Sequence, residues 1–135
     1  AAHFSRALEL DPTNIDARSN LGAVYYQRSE FAKASSEFLR ALELSPKDAD
    51  IRYNLGAAYV QQGNYDAGVE QFNQALQLKP DLIRAYFGLG NAHKLAGRKA
   101  DAIEALNKFL SMNPTGEDAE LRPYAESLLS ELKSQ

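Results

Sequence analysis

His3 and His93 are the only histidines in this 135-residue chain. Between them they could ligate a metal or move protons near neutral pH. No carboxylate pattern joins them, and the acids are scattered along helix faces, so the spacing forms no metal motif. Zero cysteines remove disulfides, thiolate ligands and a cysteine nucleophile together, and leave the redox compartment open. The stretch GLGNAHKLAG at 88–97 is rich in glycine but matches no phosphate loop, dinucleotide fingerprint or nucleophile elbow. His93 therefore reads as a packing residue, and the sequence points to no catalytic residue, no metal and no cofactor. What remains is recognition chemistry, carried by side-chain amides and aromatic rings.

The elements that would position such groups repeat themselves. NLGAVYYQ at 20–27 returns as NLGAAYVQ at 54–61 and, more loosely, as GLGNAHKL at 88–95, each 34 residues after the last. Pro12, Pro46, Pro80 and Pro114 keep the same period, preceded by ALELD, ALELS, ALQLK and FLSMN. A period of this length marks a solenoid, in which a unit cannot bury its apolar face alone and stacks on its neighbours. Within a period the apolar spacing is helical. Leu21/Tyr25 and Leu55/Tyr59 are four apart, and Ala34, Phe38, Ala41, Leu42 and Phe72, Ala75, Leu76 form a stripe on a second segment.

Ser29, Gly63 and Gly97 fall between the two segments, where a left-handed residue ends one helix before the next begins. The proline ends the second helix, since it cannot extend the hydrogen-bond ladder. Asn14, Asp48 and Asp81 are expected N-caps, and Thr115 with Asp118 is expected to form a capping box. No run reads as a strand.

The composition excludes several classes of function. A formal net charge of −3 is the wrong sign for a nucleic-acid binder. No apolar run reaches the length of a membrane span, and charges throughout residues 1–14 argue against a signal peptide. The first residue is alanine, and the expectation is a segment cut from a longer protein or one that has lost an N-terminal stretch.

The pattern resembles the tetratricopeptide repeat, a 34-residue helix-turn-helix unit with a W-x2-L-G-x2-Y, A-x3-F, P signature. Residues 15–48 carry Leu21, Gly22, Tyr25, Ala34, Phe38, Ala41 and Pro46. Residues 49–82 carry Leu55, Gly56, Tyr59, Phe72, Ala75 and Pro80, with Gly68 in the first alanine slot. Residues 83–116 keep Leu89, Gly90, Ala102 and Pro114, but place His93 for tyrosine, Leu106 for phenylalanine and Phe109 for the second alanine. Arg18, Arg52 and Tyr86 stand in the tryptophan slot.

The resemblance implies an all-α fold: a right-handed α–α solenoid of three hairpins in a single domain over 1–135. Residues 1–14 would be the second helix of a truncated repeat, and 117–135 a capping helix. Phe4 and Ala7 hold signature positions in the leading half unit, whose exposed face suggests a longer array or a neighbouring chain. Gly22, Gly56 and Gly90, with the small alanines, should mark close helix crossings. Filling one should cost about 1–3 kcal/mol, so Gly56→Leu should destabilise strongly and Gln62→Leu hardly at all. Phe109 needs more room than its alanine counterparts, so the element after it should differ. Residues 117–133 read as an amphipathic cap with Leu128, Leu129 and Leu132 on one side, starting or kinking near Arg122 because of Pro123.

In this family the first helices line a concave groove for a peptide or protein partner. Matching positions are Asp16, Ser19, Asn20, Ala23, Tyr26 and Gln27 in the first unit. The second offers Asp50, Tyr53, Asn54, Ala57 and Gln61, and the third Arg84, Phe87, Asn91 and Lys94. Amides can bond an extended peptide backbone without reading its sequence, and aromatics supply area at low entropy cost.

One family subtype clamps a chaperone C-terminal carboxylate. Asn54 and Arg84 fit that scheme, but Ser19, Ala23 and Gly88 hold its other slots, so tail binding is not expected. A local excess of cations at Arg84, Lys94, Arg98, Lys99 and Lys108 over Asp101 and Glu104 could steer an acidic partner segment, or be a solvated face. The expected function is a non-catalytic interaction module. The alternatives are a self-assembling homo-oligomer that stacks through its N-terminal helix, and the recruiting segment of a larger enzyme.

Overall fold

The computed structural model describes residues 15–134. Seven α-helices and one 3-10 turn follow one another: α1 (Ile15–Gln27), α2 (Phe31–Leu44), α3 (Ala49–Gln61), α4 (Tyr65–Leu78), α5 (Ile83–Leu95), α6 (Lys99–Ser111), the 3-10 turn Gly116–Leu121 and α7 (Arg122–Lys133). There is no strand among the described residues. The leading half unit and the Asn14 cap lie outside them.

Each α-helix from α1 to α6 packs on its chain neighbour, giving antiparallel pairs α1/α2, α3/α4 and α5/α6. Ser29, Gly63 and Gly97 take φ of 61°, 83° and 80° between the members of each pair. Glycine adopts that backbone without cost, whereas Ser29 carries a Cβ into it.

The crossing within each pair is as close as the missing Cβ allows. A Cβ on Gly22 would sit 2.7 Å from the Phe38 ring, and one on Gly56 would sit 2.9 Å from Phe72 and 3.1 Å from the Gly68 carbonyl oxygen. Gly68 fills an alanine slot for the same reason, since its own Cβ would fall 2.9 Å from the Gly56 oxygen. Phe38, Phe72 and Phe109, with Leu55 and Leu106, are the largest fully buried side chains, and Ala34, Ala41, Ala75 and Ala102 are wholly buried beside them. Burying such rings contributes about 1.5–3 kcal/mol each.

As Pro123 leads one to expect, the cap breaks near Arg122, and residues 117–133 do not form a single helix. Gly116–Leu121 forms the 3-10 turn, and α7 begins at Arg122 with Pro123 in its first turn, where a missing N–H costs nothing. Ala125, Leu129 and Leu132 of α7 close over Phe109, and Leu128 packs at their margin. The enlarged ring thus fills the space left where the cap replaces another repeat.

Three local expectations are corrected. Asp48 accepts from the Ile51 N–H at 3.1 Å as a true N-cap, but Asp81 does not cap α5. The buried Leu82 occupies the cap position there, held down by Ala49, Ala75 and Ala85. Thr115 and Asp118 form no capping box; the Asp118 N–H bonds the Thr115 carbonyl at 3.1 Å, and the Asp118 carboxylate turns to Arg84. Gln62 is not a silent surface position, because its amide donates to the Ser35 Oγ at 3.2 Å and the Ala58 carbonyl at 3.3 Å.

Candidate binding groove

The two sets of helices are not equivalent. The backbone of α1 comes close to that of α3, and α3 to α5, while the backbones of α2, α4 and α6 stay farther apart. The array therefore curves with α1, α3 and α5 on its inner side. Arg84, Phe87, Asn91 and Lys94 recur at helical spacing on one side of α5, while Tyr86, Leu89 and His93 occupy the opposite side, since two residues along a helix rotate it by about 200°.

Three adjoining hollows run along the inner face. The first, about 190 Å³, is lined by Ala23, Tyr26, Gln27, Tyr53, Asn54 and Ala57 over Phe38. A second of about 170 Å³ shares Tyr26, Tyr53 and Ala57 with it and adds Gln61, Phe87, Gly88 and Asn91 over Val60 and Phe72. The third, about 350 Å³, is bounded by Tyr53, Arg84 and the cap residues Glu117, Asp118, Glu120 and Leu121. Tyr53 borders all three, so they lie side by side in a row from α1 to the cap, a channel lined by the inner helices.

The rings in this channel are fixed by packing. Tyr26 meets Phe31 edge-on at 5.1 Å, Tyr53 leans on Phe72 at 5.6 Å, and Phe87 contacts Phe109 at 5.7 Å. The Arg84 guanidinium lies 5.9 Å from the centre of the Tyr53 ring. Burial raises the Tyr53 phenol above its usual value, with Arg84 opposing the shift, so the ring is neutral at physiological pH. Gly88 belongs here too, because a Cβ would strike the Phe72 ring at 2.7 Å and push α5 away.

Of the fifteen positions expected on the groove, ten border the channel: Ala23, Tyr26, Gln27, Tyr53, Asn54, Ala57, Gln61, Arg84, Phe87 and Asn91. Asn20 is exposed on α1 and lines none of the three hollows. Lys94 is also outside their linings, and its Nζ donates to Glu131 on α7 at 3.1 Å. Arg84 donates through Nε to Asp118 at 3.0 Å, and Arg98 is paired with Asp66 at 2.8 Å. Three cations of the expected basic patch are therefore already engaged.

The cap acids were not among the expected groove residues. A signal for one of them existed: Asp118 follows Arg84 by 34 residues, in the register of Asp16 and Asp50.

A larger hollow lies elsewhere. It measures about 660 Å³, opens on the outer side between α4 and α6, and is lined by Tyr86, Leu89, His93 and Ala105 with Asn73, Asp101, Glu104 and Lys108 at its rim. The His93 Nδ1 accepts from the Arg98 Nε at 2.9 Å, which places the imidazole proton on Nε2. Burial first, and Arg98 second, hold the His93 pKa below the usual 6.5, so the ring is neutral. Among the described residues no three His, Asp or Glu side chains converge as a metal site, and no helix is long and apolar enough to cross a membrane.

The family pattern described as TPR repeat matches residues 1–29, 24–63 and 57–97, and the one described as tetratricopeptide repeat matches 83–115. The chain belongs to the tetratricopeptide repeat family.

Comparison with curated proteins gave no match. Among solved structures, the TPR2B domain of yeast Sti1 in its pHsp70 complex superposes with a TM-score of 0.83 at 19% identity, covering 90% of this chain and 97% of that one. The Yersinia enterocolitica type III secretion chaperone SycD, in complex with a peptide of the translocator YopD, gives 0.80 at 20% identity over 88% and 92%. MamA gives 0.78 at 23% identity over 97% and 83%. At these identities the likeness is one of fold, and the tetratricopeptide solenoid is that fold.

Proposed function

We propose that this tetratricopeptide chain is a non-catalytic interaction module that holds an extended peptide or protein segment along the channel of α1, α3 and α5. The observation that carries the reading is that Tyr53 lines all three hollows of the inner face, with Tyr26 and Phe87 beside it. Tyr26, Tyr53 and Phe87 offer rigid anchors, and Gln27, Asn54, Gln61 and Asn91 offer amides that can both donate to and accept from a peptide backbone. Aromatic anchors in desolvated pockets carry most of the energy of such contacts. SycD, described with a peptide of YopD, and Sti1, described in a pHsp70 complex, share the fold and support the reading.

The test is selection of a phage-displayed dodecapeptide library on the immobilised chain, with enriched peptides remeasured by fluorescence polarisation. Tyr53→Ala should weaken them at least about tenfold, the loss expected of a central anchor, and Asn54→Ala should weaken them less. Lys79→Ala, at an exposed site away from the channel, should leave them unchanged. Peptides that bind wild type and Tyr53→Ala equally would remove the channel as the site.

A further inference from the structure

The cations expected on the inner face, Arg84 at the start of α5 and Lys94 at its end, are both engaged from within the chain. Asp118 sits one repeat period after Arg84 and takes its guanidinium at 3.0 Å, while Glu131 takes the Lys94 ammonium at 3.1 Å. These are the two cations of the inner face that an acidic ligand would need. The charges left along the adjoining edge are carboxylates: Asp16 and Asp50 at the starts of α1 and α3, exposed, and Glu117 and Glu120 beside Arg84. Behind that edge the channel is floored by Phe38, Val60 and Phe72 and walled by aromatic rings, a lining suited to an apolar side chain.

We propose that the groove selects an extended peptide with an apolar anchor and a basic flank, and that Asp118 and Glu131 set this selectivity by holding Arg84 and Lys94 away from acidic ligands. The apolar anchor enters the hollows around Tyr26, Tyr53 and Phe87, and the lysine or arginine flank lies over Glu117 and Glu120. An acidic ligand meets unneutralised carboxylates along the edge, and has to displace a cap acid from Arg84 or Lys94 before it gains a partner. Charge complementarity of this kind acts mainly on which partner is accepted. The two ion pairs are partly open to solvent, so removing them should alter specificity with little loss of folding.

The inference rests on the groove being the peptide site, and the experiment separates the two. The dodecapeptide library is selected on wild type and on the double variant Asp118→Asn/Glu131→Gln, after thermal melts establish that the variant is folded. Wild type should enrich peptides with an apolar residue flanked by lysine or arginine. Changing that basic flank to glutamate should weaken binding to wild type by about tenfold. The double variant should bind the glutamate peptides about as well as the basic ones, and should lose this gain when Arg84→Gln is added.

Enriched peptides that depend on Tyr53 but are acidic on wild type, or a flank preference that the double variant leaves unchanged, would overturn the selectivity while leaving the groove in place. Enriched peptides indifferent to Tyr53→Ala would overturn the groove itself.

Discussion

Hairpins α3/α4 and α5/α6 share a register but close their outer seams differently. In the first, Arg52 donates to Gln71 at 3.1 Å, to Gln74 at 2.6 Å and to the Pro46 carbonyl at 2.9 Å, tying α4 to the preceding loop. Arg18 does the same for α1/α2 through Glu37 at 3.0 Å, at the same separation of 19 residues. In the third hairpin those two positions are Tyr86 and Ala105, no such bridge forms between them, and the 660 Å³ hollow opens instead. On the inner face, Tyr26, Tyr53 and Phe87 line adjoining hollows across all three. The difference teaches that the repeat fixes the crossings and the inner wall, whereas the outer seam depends on single polar side chains and can open without disturbing the stack.

The sharpest way to break the comparison is to exchange the residues of one slot. Phe109→Ala should cost about 3–5 kcal/mol in a denaturant titration, because Ala125, Leu129 and Leu132 lose the ring they close on. The reciprocal Ala75→Phe should also destabilise, by about 1–3 kcal/mol, since Ala49, Leu82 and Ala85 leave no space beside it. If Ala75→Phe proved neutral, the two slots would be alike and the role of the cap would fall.

Next in size are the crossings. Gly56→Ala and Gly90→Ala should each cost about 1–3 kcal/mol, with Gly90→Ala at least as costly. At Gly56 the new methyl meets the Phe72 ring at 2.9 Å and the Gly68 carbonyl oxygen at 3.1 Å. At Gly90 it meets the Cγ of Leu106 at 2.5 Å, a branch point of a fully buried side chain and not a free tip. A thermal midpoint for Gly90→Ala equal to that of wild type would show that the third crossing has room to spare.

Helix starts give a smaller contrast. Asp48→Ala should lower stability by about 1 kcal/mol through loss of the bond to Ile51 N–H, and Asp81→Ala should change it by no more than a few tenths.

The smallest effect is a pH slope. The folded His93 has a lowered pKa, so the unfolded chain binds the proton more readily. His93 therefore adds nothing unfavourable above about pH 6.5, and stability falls as pH drops from there toward the lowered folded pKa. His93→Tyr, which restores the residue of the other two hairpins, should flatten that part of a stability-against-pH curve. An unchanged slope would assign it to other groups.

The period of 34, the paired helices, the glycine crossings and the positions of Tyr26, Tyr53 and Phe87 on one face were all determined by the sequence, because helical spacing and repeat register are local and additive along the chain. Gly88 and the cap acids were legible only in part. Asp118 could be found by continuing the register past Arg84, but Glu131 lies 37 residues from Lys94, outside any period. Asp81, whose type suits an N-cap, does not cap α5 because burial of Leu82 outweighs a capping bond. Tertiary structure alone decided that the groove cations are neutralised from within, that the outer seam opens beside Tyr86, and that the cap turns as 3-10 before α7. Each depends on which side chains from distant segments compete for one space or one charge, and such competition leaves no local pattern to read.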